Sequence, residues 1–176
     1  MLNTYKPLNL PSKSASVQLR DRDQWNLTRS KFDADFYTIG YSGRKVLEFI
    51  GILKSVKICS VVDIRFSPTS MYRPEFNKSN LLPILKRHNI SYFHQPELGI
   101  PRDIRGMALD TNSRDVLWEW YDRYIVGNYI NGNLDNFFNS SIHPIAFLCL
   151  EVSPLECHRH RLALALERKG LRSYDL

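Results

Sequence analysis

No stretch of this chain approaches 18 uninterrupted apolar residues, so no membrane-spanning helix is expected. Met1 to Leu10 holds Asn, Thr, Lys and Pro instead of an apolar secretory core, which argues against export and for a cytoplasmic location. Cysteines are few. Three of them, Cys59, Cys149 and Cys157, speak against a disulfide framework and leave reduced thiols, metal ligation or burial as their uses. None belongs to a C-x2-C pair, so no ready-made metal knuckle is written into the chain. Internal repeats and low-complexity segments are also missing.

What is present suits one domain with an appendage. The 176 residues are 43% hydrophobic, ample for a core, and carry a formal charge of +6 that favours anionic partners such as a nucleotide or nucleic acid. Residues 1–33 lack sustained periodicity and are rich in Lys and Arg, so they read as a basic, loosely structured extension, with Trp25 and Leu27 able to tack it onto the body. The domain proper is expected over 34–176.

Within that span, apolar runs alternate with helical periodicity. Phe36 to Ile39 reads as a strand closed by Gly40-Tyr41-Ser42-Gly43, and Ser42 is the expected cap of a helix carrying Val46, Phe49, Ile50 and Leu53. Ile58 to Ile64 is a buried-strand run with Cys59 in the core, ending in Asp63 and Arg65. A helix is expected from Asn80, with Pro83 in its first turn, followed by a strand over 91–94. Pro96 to Asn112 reads as a long loop of the kind that forms lids. Val116 to Ile125 is an amphipathic helix, and residues 134–138 suggest another. Ile145 to Leu150 is a fully buried strand, Ser153-Pro154 turns the chain into a last helix, and Leu171 to Leu176 supplies an edge strand. This order predicts a single Rossmann-like, doubly wound α/β domain with a mostly parallel sheet.

Parallel strands joined by right-handed crossovers bring their carboxyl ends to one edge, where ligands of such sheets bind. Gly40-Tyr41-Ser42, Asp63-Arg65, His94-Gln95 and Cys149-Glu151 are thereby expected to share one pocket with Cys157, His158 and Arg159. The motifs Tyr37-Thr38-Ile39-Gly40-Tyr41-Ser42, Val62-Asp63-Ile64-Arg65, Phe76-Asn77-Lys78, Leu98-Gly99 and Cys149-x-Glu151 with Cys157-His158-Arg159 resemble the domain of unknown function 488 family. The resemblance covers 36–176, with Tyr41 where that family commonly has histidine. It implies an α/β fold and marks the motif residues as site residues, without naming an activity or a cofactor.

Three chemistries remain open. Asp63 and Glu151 suit general acid or base work, with Arg65, Lys78, Arg159 and the amides after Ser42 cradling an anion and Tyr41, Tyr72 and Phe76 able to stack a base. Together these describe an enzyme acting on a phosphate-bearing substrate. A non-catalytic nucleic-acid-binding or interaction domain served by the basic arm is the alternative. The third is a thiol- or metal-dependent protein. Cys157, near a helix start and beside Arg159, favours a thiolate, and Cys149, Cys157, His158 and His160 are metal-ligand types. Against a metal, neighbouring ligands in one helical turn point apart. A phosphate-binding thiol loop is disfavoured, because Leu155 occupies the position six after Cys149 where an arginine is needed.

Overall fold

A computed structural model describes residues 25–111, 113–130 and 142–176. Most of the basic extension and the helix expected over 134–138 lie outside the described residues.

Five strands form one all-parallel sheet: β1 (Phe36–Gly40), β2 (Ser60–Asp63), β3 (Ser91–His94), β4 (Ile145–Cys149) and β5 (Ser173–Asp175), in the order β3-β2-β4-β1-β5. β-branched and aromatic residues fill these runs because both faces of the sheet are covered, so no polar alternation is needed. Along β1, β2 and β4, Tyr37, Ile39, Val61, Ala146 and Leu148 pack with Phe49, Ile50 and Leu53 of α1 (Val46–Ser55) and Leu81 and Leu85 of α2 (Lys78–Arg87). Their alternates Phe36, Val62, Ile145, Phe147 and Cys149 pack on the other face. There they meet Tyr121 of α4 (Asp115–Tyr121) and Leu162, Ala163 and Leu166 of α5 (Arg159–Glu167). The sheet is therefore covered on both sides in the doubly wound manner, and the strand order reverses between β1 and β4. Such a reversal leaves a crevice at the carboxyl ends of the two strands.

Local expectations are corrected in four places. Ser42 caps no helix, since α1 starts at Val46 after Lys45. Helix α2 begins at Lys78 with Asn77 as its extended cap residue, so Pro83 lies inside it, beyond the first turn. The segment read as a long loop is largely structured. It holds a short 3-10 turn (Pro96–Leu98) and α3 (Arg102–Thr111), with Pro101 immediately before the first helical residue. Cys59 is half-buried instead of core. Helix α4 continues as a π-helical stretch, Asp122–Ile130.

The described end of the N-terminal segment lies against the body. Trp25 is buried in the core beside His160, and Arg29 pairs with Glu167 at 2.7 Å, while Leu27 remains exposed.

Candidate active site at the carboxyl ends of β1 and β4

At the crevice, Gly40 is paired in register with Cys149. A Cβ on Gly40 would stand 1.7 Å from the Glu151 carbonyl oxygen, so only glycine lets the loop after β4 cross so close to β1. Gly40 thus works through packing. The Ser42 amide donates to Leu150 O at 2.9 Å and is committed to holding the same loop.

Arg159 fastens that loop from below. Fully buried, it donates from Nε to Asp175 Oδ1 at 3.0 Å, from Nη1 to Glu151 O at 2.5 Å and from Nη2 to Val152 O at 2.8 Å. Burial pushes the Asp175 carboxyl up while Arg159 and Thr38 pull it back, so desolvation offsets part of what the pair gains. With its donors spent this way, Arg159 positions the loop and does not line the cleft.

Asp63, at the end of β2, is equally committed. It accepts from Arg65 Nε at 2.8 Å, from Arg65 Nη2 at 2.5 Å and from the Tyr92 hydroxyl at 2.6 Å. Burial, then the facing Asp63 carboxylate, raise the Tyr92 phenol well above its usual range, so it remains a donor. Asp63 thereby aims Arg65, whose remaining nitrogen, Nη1, is buried without a hydrogen-bond partner among the described residues. Arg65 lies over the Tyr41 ring, 5.0 Å from its centroid, and both line the cleft.

The cleft has an enclosed volume of about 100 Å³. Its inner wall is Cys149, Glu151, Cys157 and His158; its rim includes Arg105, from the helical segment that the sequence presents as a loop, and Arg114, just before α4. Arg114 pairs with Glu156 at 3.1 Å, and Arg105 donates from Nε to Ile100 O at 3.0 Å. Lys78 is exposed and stands outside the cleft lining, as does His94, whose Nε2 faces Arg65 O at 2.9 Å. Phe76 is a buried core residue stacked on Tyr41 with ring centroids 4.5 Å apart, and Tyr72 is exposed.

The thiol cluster is compact. Ligand atoms of Cys149, Cys157 and His158 all lie within 4.8 Å of one another. Cys149 Sγ is 3.7 Å from His158 Nδ1 and 3.7 Å from Glu151 Oε2. Cys157 precedes α5 in an extended conformation (φ −128°, ψ 143°), and His158 follows in a helical one, so the two do not share a helical turn and their side chains converge. Burial opposes ionisation of Cys157, but Cys149, Arg159 and His158 outweigh it and hold its thiol well below the usual cysteine range. Burial pushes the Cys149 thiol up. Burial and the adjacent Cys157 also push the Glu151 carboxyl up to about 7.

Residues 45–166 match the family described as domain of unknown function DUF488. The chain belongs to that family. The matched span runs from the start of α1 into α5 and includes Asp63, Arg65, Cys149, Glu151, Cys157, His158 and Arg159. Gly40, Tyr41 and Asp175 lie beyond it. No curated protein and no solved structure matches the chain. Among the described residues, no helix is long and apolar enough to cross a membrane.

Sequence reasoning overlooked Arg105, Arg114, Tyr92 and Asp175. Tyr92 was within reach, since β3 follows β2 and its residues pair with those of β2. Asp175 carried the same signal as the other strand ends, an acidic residue closing a short run, but that run was read only as an edge.

Proposed function

We propose that this protein is an enzyme acting on a small phosphate-bearing substrate, such as a nucleotide, with Glu151 as the proton-transfer group. The observation that carries this reading is Arg65, a cation on the wall of the cleft whose buried Nη1 has no hydrogen-bond partner among the described residues. Leaving such a donor unsatisfied costs about 1–3 kcal/mol, and a phosphoryl oxygen supplies the missing acceptor. Arg105 and Arg114 add positive charge at the rim. The enclosed volume suits a terminal phosphoryl group, with the rest of the substrate lying across the open mouth. Glu151 is the carboxylate on the inner wall that no arginine side chain claims among the described residues, whereas Asp63 is held by Arg65 and Glu156 by Arg114. Free thiols also favour a reducing compartment such as the cytoplasm.

A panel of nucleotides and phosphate esters tests the reading. Glu151→Gln is expected to lower turnover by about 10²–10⁴-fold with little change in affinity. Arg105→Ala is expected to weaken binding of the same substrate. Absence of turnover, together with no thermal shift from phosphate, pyrophosphate or nucleotides, overturns it.

A further inference from the structure

Cys149, Cys157 and His158 meet at the inner end of the cleft, and the imidazole shows how they are used. His158 Nε2 lies 3.1 Å from Ile64 O. A carbonyl oxygen only accepts, so in the neutral ring Nε2 carries the hydrogen and Nδ1 keeps its lone pair. Cys149 Sγ lies beside the ring edge, 3.7 Å from Nδ1 and 3.9 Å from Nε2, so the lone pair that the Ile64 contact leaves on Nδ1 is the one available to a metal. Metal-bound histidines are typically fixed in this way, with the non-ligating N–H donated to a backbone carbonyl or carboxylate.

We propose that Cys149 Sγ, Cys157 Sγ and His158 Nδ1 bind one zinc ion, with the fourth position open to the cleft. In tetrahedral zinc, bonds of about 2.3 Å to sulfur and about 2.0–2.1 Å to nitrogen put the ligand atoms roughly 3.5–3.8 Å apart. The Cys149 to His158 separation of 3.7 Å already meets that spacing, and all three ligand atoms fall within 4.8 Å. Two thiolates and a neutral imidazole are a borderline-soft donor set suited to zinc and unsuited to magnesium or calcium. Two thiolate charges balance the ion, which lets the centre exist among buried residues. Three protein ligands and an exposed fourth position mark a catalytic site, since structural zinc sites take four.

Glu151 Oε2 is 3.7 Å from Cys149 Sγ, beside the three ligands and outside their group. With the ion in place, Glu151 would take one proton from a water activated at the open position as that water's oxygen bonds to the electrophilic atom of the substrate. Glu151 would return that proton to the leaving group as its bond to the same atom breaks, so the net change would be hydrolysis. This use of the metal rests on the anion-binding reading above; the presence of the metal does not.

The test reads metal without substrate. Full-length protein purified under reducing conditions without chelator is expected to contain about one zinc per chain by elemental analysis. Apoprotein titrated with Co2+ is expected to develop a thiolate-to-metal charge-transfer band and the ligand-field bands of a tetrahedral site. Cys149→Ser and Cys157→Ser abolish both signals, whereas Cys59→Ser, remote from the cluster, preserves them. Should the cysteine variants fail to fold, the cobalt titration of the unaltered chain decides alone. A chain with reduced thiols that binds neither ion, or equal metal loss from Cys59→Ser, overturns the site.

Discussion

Arg159 and Asp175 form an ion pair at 3.0 Å in which neither side chain has any solvent exposure. It joins the end of the edge strand β5 to the loop that carries Glu151. Removing one member strands the other charge in the interior, so Asp175→Ala is expected to cost about 3–5 kcal/mol in urea denaturation. Turnover should fall as well, although Asp175 lies outside the cleft, because Arg159 also holds the carbonyls of Glu151 and Val152. An unchanged midpoint would show the pair to be dispensable.

Two glycines give a paired test of crowding. Gly40→Ala sets a methyl group against the Glu151 carbonyl, backbone against backbone, and is expected to destabilise at or above the upper end of about 1–3 kcal/mol. Gly51, inside α1, has nothing within 4 Å of its would-be Cβ. Gly51→Ala should stabilise by about 0.5–1 kcal/mol through helix propensity. Melting temperatures moving in opposite directions would bear this out; a neutral Gly40→Ala would refute the close approach.

The two strand-end carboxylates should separate in their effects. Asp63→Ala removes the acceptor for Arg65 and Tyr92 in a buried network and is expected to cost about 3–5 kcal/mol. Glu151→Gln keeps size and polarity and should change stability by less than about 1 kcal/mol while lowering turnover by about 10²–10⁴-fold. Denaturation of both variants checks this. A stable Asp63→Ala protein would free Asp63 for chemistry.

Stability should weaken in acid partly through Glu167. Burial raises its carboxyl, but hydrogen bonds from Arg29 and Ser173 prevail and hold it below the ordinary value of 4.5. A carboxyl depressed in the folded state stabilises fully above its unfolded pKa, and that contribution vanishes as pH falls through the folded one. The stability advantage of the unaltered chain over Glu167→Gln should therefore be present at neutral pH and disappear in acid. A difference independent of pH would mean that packing, not ionisation, is responsible.

Much of the fold could be read from residue order, because the strands are short apolar runs that end in polar groups, and parallel pairing gathers those ends. Less legible was which polar groups face the cleft. Asp63 and Glu151 look alike in sequence, yet Arg65 two residues on claims the first, while among the described residues no arginine pairs with the carboxylate of the second. Arg105 was hidden because Pro101 and Gly106 resemble loop punctuation. Pro101 instead stands before a helix start, and Gly106 has open space around it. Convergence of Cys157 and His158 depends on the extended backbone of Cys157 after a 3-10 turn (Pro154–Glu156), a detail that periodicity does not register.

The sheet order puts β4 in the middle, with β2 and β1 on its flanks, so Cys149 ends the central strand and Cys157 lies buried beside it. Arginines at the rim grow from helices laid over one face. Hydrogen exchange opens peripheral segments long before central strands. The floor of the cleft should thus stay intact through fluctuations that unseat its mouth, and exchange of substrate requires no disturbance of the cysteines beneath.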